Sequence, residues 1–433
     1  MLLQGFRATR NLIRYLKSPL GLLKEMSLAG DRVCFDLGSK PMVLLNHPDL
    51  IREAIVTKQK SFGRGSVFWR MNRLMVGSSL LTAEAAEHRQ SRRLIQPVFH
   101  PHRLEVYAQC MLRAGELLAQ SWQSGQTVDI SLAMNQVTLQ AVCASLFGPS
   151  VTRKSDRVFE VINDMLSMPF ALYPHPLEPL FERYPSLTRL GRAVRRADRV
   201  IYPMIEERRA AADPTDDLLT MLIQAHEDEV GSFNDRQVRN ETITLLLAGH
   251  ETTAQSLSWA IYLLGQHPAL QEELGAEAHA LDEFAWDSLA KLPKLGQFFD
   301  ETLRLYPPAW GLERPALEDV EIGGEVIPAG TTVLASQFLI HRDARFWEAP
   351  EDLRLDRWIP GAKKKAQEAF TYFPFGAGAR MCIGEHFARA EALIILACLL
   401  KKWRFKKVNT VTPKALITLH PSEPVRTVVT AAP

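Results

Sequence analysis

No run of about 20 apolar residues occurs in the 433-residue chain, which argues against a membrane-spanning helix. Cysteine is scarce. Five residues stand at positions 34, 110, 143, 382 and 398, odd in number, scattered, and without a C-x-x-C pair. That pattern argues against a disulfide framework or a structural zinc site and fits a reducing, cytoplasmic compartment. The net charge is only +2, so nothing global points to nucleic acid. Internal repeats, low-complexity tracts and Gly/Ser linkers are also missing, and with them any sign of a repeat array or a flexible tether.

What is present is an ordinary globular composition, 46% hydrophobic and 23% charged, in a chain long enough to bury a large core. The segment from Met1 to Met26 carries Arg7, Arg10, Arg14, Lys17 and Lys24 among Leu, Phe and Ile. Basic residues interrupt every apolar stretch, so it is not a secretory signal. It reads as an amphipathic first helix packed on the body, with peripheral contact to an anionic membrane surface as the alternative.

Val33 to Leu37 and Pro41 to Asn46, joined by Gly38-Ser39-Lys40, read as a β-hairpin. Val320 to Ile327, broken by Gly323-Gly324, Thr331 to Ala335, Leu416 to Leu419 and Val425 to Val429 suggest further strand. Helix-period patterns cover Pro48 to Ala54, Ala86 to Leu94, Leu104 to Ala119, Leu132 to Phe147, Val158 to Leu166 and Leu187 to Arg209. They continue over Asp216 to Ala225, Asp235 to Leu264, Ala269 to Ala280, Lys294 to Tyr306 and Ile383 to Trp403. The expected fold is mainly α with a small β region.

The stretch from Asp235 to Leu264 would be about 45 Å long as one helix. It is apolar on nearly every face around Ile243 to Ala248, which marks it as buried. Yet its middle holds Gly249, His250, Glu251, Thr252 and Thr253. A mid-helix glycine costs about 1 kcal/mol relative to alanine, and a buried glutamate is expensive without a partner. Local rules broken inside a buried element mark the place to look for function.

A second anomaly is the loop Phe375-Gly376-Ala377-Gly378-Ala379-Arg380-Met381-Cys382-Ile383-Gly384, which leads straight into an apolar helix. Glycines at 376, 378 and 384 let the backbone approach a flat ligand and take positive φ. Cys382 falls at a helix N-terminus, where the macrodipole and free N–H groups favour a thiolate and are expected to lower the thiol pKa. Arg380 is placed to pair with a carboxylate of that ligand. His386 reads as a helix-surface residue.

The pattern Phe-x-x-Gly-x-Arg-x-Cys-x-Gly resembles the heme-binding signature of the cytochrome P450 family. The resemblance implies that family's fold across residues 1–433 as one domain, heme b as cofactor and Cys382 as the iron ligand. Phe375, Gly378, Arg380 and Gly384 would then contact the cofactor. It also implies a monooxygenase that inserts one oxygen atom from O2 into an apolar molecule. Ala248-Gly249-His250-Glu251-Thr252-Thr253 resembles the family's oxygen-activation motif. Glu251 would relay protons, Thr252 would hold dioxygen and water, and Gly249 would let the helix widen locally. Glu301-Thr302-Leu303-Arg304 resembles the family's Glu-x-x-Arg, with Arg357 of Asp356-Arg357-Trp358 as the third member of an ion-pair scaffold. Leu353 and Leu355 depart from the usual Phe and Pro there.

The family also places basic residues against the heme propionates, and His88, Arg92 and Arg314 match those places. Ala85 stands where Gly is frequent. The substrate pocket would be built from the Phe68-Trp69 loop, Leu247-Ala248 on the long helix, and Ala309, Trp310 and Leu312 after the Pro-Pro turn, for a lipid, terpenoid or carotenoid-like molecule. About 50 residues follow Cys382, with no phosphate-binding glycine loop. Electrons are therefore expected from a separate ferredoxin or flavodoxin with an NAD(P)H reductase, drawn to Lys401, Lys402, Lys406 and Lys407, unless these form only a solvated edge. A monomer is expected. Two rivals stay open here: a peroxygenase or heme isomerase of the same fold, and a non-enzymatic heme ligand carrier or sensor. Glu251-Thr252 favours the oxygenase.

Overall fold

A computed structural model describes residues 2–166, 188–211, 217–227, 234–281, 286–407 and 409–433. Leu187 and Asp216, the expected starts of two helices, lie outside the described residues, as do the side chains of Arg7 and Lys407. Among the described residues no helix is long and apolar enough to cross a membrane.

Helices make up most of the structure. Ala85–Ile95, Pro101–Ser121, Ile130–Leu146, Ser155–Leu166, Arg189–Arg209, Leu218–Glu227, Asp235–Leu264, Pro268–His279, Pro293–Leu305 and Glu385–Lys402 all form where the periodicity predicts. Asp235–Leu264, the central helix, opens on a capping box. The Asn234 side chain accepts from the Gln237 N–H, and the Gln237 side chain accepts from the Asn234 N–H, both at 2.9 Å. It is buried along most of its length and packs on Ile130–Leu146.

Gly249 serves that packing: a Cβ there would meet Val142 Cγ2 at 3.1 Å. The widening expected at Gly249 is absent, because the helix stays α-helical throughout. Thr252 Oγ1 donates to the Ala248 carbonyl at 2.9 Å and Thr253 Oγ1 to that of Gly249 at 3.2 Å. These hydroxyls bond back onto carbonyls of the intact ladder instead of opening it.

The first helix, Leu2–Lys17, packs on the hairpin Arg32–Leu37/Lys40–Leu45. That hairpin extends into a mixed sheet: Lys40–Leu45 runs parallel to Thr332–Ala335, which pairs antiparallel with Leu312–Pro315. Three expectations need correction. Phe68 and Trp69 lie in a helix, Val67–Val76, not in a loop; Gly77 ends it at φ 75°. The last long helix stops at Lys402, and Trp403–Lys407 continues as a strand paired with Arg426–Ala431. Of the strand expected over 416–419 only Leu419 is paired: residues 416–418 are a turn between the paired segments Pro413–Ala415 and Leu419–Pro421. This C-terminal hairpin is fastened to the central helix by the Trp259 indole, which donates to the Leu419 carbonyl at 3.0 Å.

Candidate active site

Cys382 sits between a 3₁₀ turn, Gly378–Arg380, and the helix Glu385–Lys402. Its N–H donates to the Phe375 carbonyl at 2.9 Å, closing the loop on itself. Gly376 and Gly378 hold φ near +70°, a region that costs other residues roughly 1–2 kcal/mol. A Cβ on Gly378 would also lie 2.7 Å from the Ile55 carbonyl. Gly378 therefore seats the loop on the turn Glu53–Thr57. Gly384 needs no positive φ; at −93° its backbone is ordinary, and a Cβ there would stand 3.9 Å from Cys382 Sγ.

Cys382 has open surface, but that surface is the wall of an interior cavity of about 730 Å³. Burial pushes its thiol up to about 11, opposed by the Gly384 N–H and by Arg92, with Glu385 reinforcing the rise. The expected depression of the thiol by the helix terminus does not prevail, because desolvation of a thiolate here exceeds what one N–H returns. Ligation to a metal therefore has to expel the thiol proton.

Four arginines and a histidine gather beside the loop. Arg64, Arg314, Arg380, Arg92 and His88 all line the cavity. Burial, then the charges of Arg314 and Arg380, lower Arg64 well below the usual guanidinium range. Burial and Arg380 lower Arg314 to about 10. Burial and the four arginines hold His88 near 3, so its ring is neutral. Arg92 Nη1 donates to the Ala379 and Met381 carbonyls at 3.2 and 2.8 Å and thereby clamps the cysteine loop.

Arg64 Nε and Nη1 and Arg380 Nη1 are buried without a hydrogen-bond acceptor among the described residues. Glu84 offsets all three of Arg64, Arg314 and Arg380. Unanswered buried guanidinium donors require acceptors from elsewhere. The two propionates of a heme above Cys382 are acceptors of that kind, so the residues present fit the group. Arg64 was not singled out from the sequence; its only local signal is an arginine between Gly63 and Gly65.

The central helix forms the opposite wall, with Leu247, Ala248, Gly249, Glu251 and Thr252 on the cavity. Glu251 Oε1 accepts from Thr418 Oγ1 at 2.9 Å and from His420 Nε2 at 2.8 Å, both on the C-terminal hairpin. Burial works against its charge, but His420, His250 and Thr418 outweigh it and hold the carboxyl below the ordinary range. Thr418 and His420 had no distinguishing sequence pattern. Phe68, Trp69, Ala309, Trp310 and Leu312 complete a mostly apolar wall, and the Trp310 indole is fixed by the Leu416 carbonyl at 2.9 Å.

Beneath the loop the structure brings Glu301, Arg304 and Arg357 together. Arg304 Nε and Nη2 each donate to a Glu301 oxygen at 2.8 Å, and Arg357 Nε donates to Oε1 at 3.3 Å. Arg304 Nη1 reaches the His341 carbonyl at 2.8 Å, and His341 Nε2 accepts from the Phe373 N–H at 3.0 Å. The scaffold thus connects directly to the start of the cysteine loop. The lysines considered for partner docking lie elsewhere. Lys402 ends the helix that starts beside Cys382, about 27 Å away along 18 residues, and Lys401 Nζ donates to the Leu281 carbonyl at 2.7 Å.

A family profile described as Cytochrome P450 matches residues 23–425. Cyclooctatin synthase of Streptomyces melanosporofaciens is 32% identical over 401 residues, covering 90% of this chain and 86% of that protein. Cyclooctat-9-en-7-ol 5-monooxygenase of the same organism is 32% identical, covering 92% and 87%. Pentalenene oxygenase of Streptomyces avermitilis is 31% identical, covering 94% and 91%. A cavity floored by a lone cysteine, edged by unanswered arginines and faced by an acid-alcohol pair is what such a match requires; the chain is a heme-dependent monooxygenase and belongs to the cytochrome P450 family.

Proposed function

We propose that the chain hydroxylates or epoxidises a terpenoid, with Cys382 as iron ligand, Glu251 and Thr252 as the proton-delivering pair, and Arg64, His88, Arg92, Arg314 and Arg380 around the propionates. The observation that carries this reading is one cavity shared by Cys382, Glu251, Thr252 and a largely apolar wall. When bound, the heme supplies the redox-active iron at which O2 is activated. The protein's own part is positional. Phe68, Trp69, Leu247, Ala248, Ala309, Trp310 and Leu312 exclude water and hold an apolar molecule by shape, with few polar groups to orient it. The Glu251 carboxylate, held by Thr418 and His420, stands beside the cavity where it can pass a proton on, and the Thr252 hydroxyl, anchored on Ala248, presents a hydrogen-bonding oxygen to the cavity.

The names of the similar proteins, one an oxygenase of pentalenene and one a monooxygenase of cyclooctat-9-en-7-ol, support a terpenoid over a fatty acid. Electrons come from a separate ferredoxin or flavodoxin and its reductase. The protein works in the cytoplasm as a monomeric single domain, with its first helix free to touch a membrane: Tyr15, Leu16 and Pro19 edge the cavity, and Leu16 is half exposed.

The test is a screen of mono-, sesqui- and diterpene hydrocarbons and alcohols by the heme spin-state shift, followed by turnover under 18O2 with a surrogate ferredoxin system. A spin shift with a terpene and one labelled oxygen in the product is expected. Peroxide-driven turnover, with no O2 uptake when reductase is supplied, overturns it.

A further inference from the structure

We propose that His420 is the solvent-side end of the proton path to Glu251, a positioning residue that renews the proton Glu251 passes into the cavity. The inference rests on the reading of Glu251 as proton donor. It is carried by geometry. Glu251 is almost fully buried, at 7% side-chain exposure, and lies on the cavity wall, so it needs a connection to water. Its two hydrogen-bonding neighbours on the C-terminal hairpin differ in reach. Thr418 is buried and faces the cavity, whereas His420, 2.8 Å from Oε1, is 30% exposed and is not part of the cavity wall. His420 therefore touches both the buried carboxylate and the outside.

The residue type suits the task. An arginine or lysine there would hold Glu251 as a permanent ion pair, while an imidazole gives up and recovers a proton near neutral pH. In the step, the imidazolium passes its Nε2 proton to Glu251 Oε1 and becomes neutral. The carboxyl releases a proton toward the cavity beside Thr252, and the exposed ring takes a new proton from solvent. One proton enters and one leaves, with no change in redox state. Among the described residues the other titratable group facing Glu251 is His250, on the same helix. It is buried, and its Nδ1 stands 2.9 Å from the Leu246 carbonyl, so it has no route outward.

Two measurements on the heme-loaded full chain test this. In infrared difference spectra against Glu251→Gln near neutral pH, the wild type shows no protonated-carboxyl band from Glu251, and His420→Leu acquires one. Absence of that band in His420→Leu contradicts the coupling. In turnover with a surrogate ferredoxin system and a sesquiterpene hydrocarbon as probe, His420→Gln keeps a hydrogen-bond donor but cannot exchange protons by ionising. Its product formation falls about a hundredfold, at the lower end of positioned proton transfer, the solvent deuterium isotope effect rises, and the dissociation constant of the probe does not move. Wild-type kinetics in His420→Gln with an impaired Glu251→Gln overturns the role of His420 alone. Wild-type kinetics in Glu251→Gln overturns the reading beneath it.

Discussion

Glu301 and Arg304 meet through two parallel N–H···O bonds of 2.8 Å, and neither side chain reaches solvent. The carboxylate also accepts from the Arg354 N–H at 3.0 Å, Arg357 Nε at 3.3 Å and the Trp358 indole at 2.9 Å. Arg304 spends its remaining donors on the carbonyls of His341, Pro350 and Asp352. One ion pair therefore ties the helix Pro293–Leu305 to the 341–358 segment. A buried pair so saturated is better understood as fixing geometry than as adding net stability.

Glu301→Gln places an amide NH2 among five donors that all need an acceptor. Breaking a buried pair costs about 3–5 kcal/mol. Chemical denaturation of the variant is expected to show a loss of that size, together with reduced heme content. A loss under about 1 kcal/mol would mean that the network is dispensable.

Gly376 and Gly378 separate backbone strain from collision. Both hold φ near +70°, but a Cβ at 376 meets nothing within 4 Å, while one at 378 meets the Ile55 carbonyl at 2.7 Å. Gly376→Ala should cost roughly 1–2 kcal/mol, and Gly378→Ala clearly more, with slower heme uptake. Equal effects on unfolding free energy would remove the close approach as the reason for Gly378.

His341 sets an acid limit. Burial, with Arg304 and Arg342, holds its ring near 3, and Nε2 accepts from the Phe373 N–H. The unfolded chain takes up that proton near 6.5 and the folded one does not. This contribution is present above pH 6.5 and is lost as pH falls toward 3, at up to about 1.4 kcal/mol per pH unit. Urea titrations at several pH values should show His341→Gln less stable at pH 7.5 but with a flatter acid limb. Parallel pH profiles would contradict this.

Arg64 predicts opposite effects on the two forms of the protein. Without the cofactor its guanidinium is buried beside Arg314 and Arg380 with unanswered donors. Arg64→Leu is therefore expected to stabilise the apoprotein and to speed heme transfer to apomyoglobin. If both forms lose stability alike, Arg64 is a packing residue that stacks on Trp69, 3.5 Å from its ring centre.

Legibility followed distance along the chain. The cysteine loop, Glu251-Thr252 and Glu301/Arg304 each lie within a few consecutive residues, so spacing and residue type expose them. The central helix was bounded correctly because its cap and its apolar run are local. Thr418 was invisible because its partner is 167 positions away and no local pattern marks it. His420 and the Phe373 contact of His341 were hidden in the same way. Helix Val67–Val76 is legible in principle, since Val67, Phe68, Met71, Leu74 and Met75 recur at helical spacing, although its buried face also takes Trp69 and Asn72. The direction of the Cys382 thiol is not legible from the chain alone, because the helix terminus is written in the sequence and the depth of the cavity is not.

The central claim is that Cys382 is the iron ligand. The reduced, CO-treated absorption spectrum of Cys382→Ser tests it most directly, with heme content measured alongside. The wild type is expected to show the strongly red-shifted Soret band of thiolate ligation and the variant to lose it while keeping bound heme. Retention of the red-shifted band in Cys382→Ser would contradict the account.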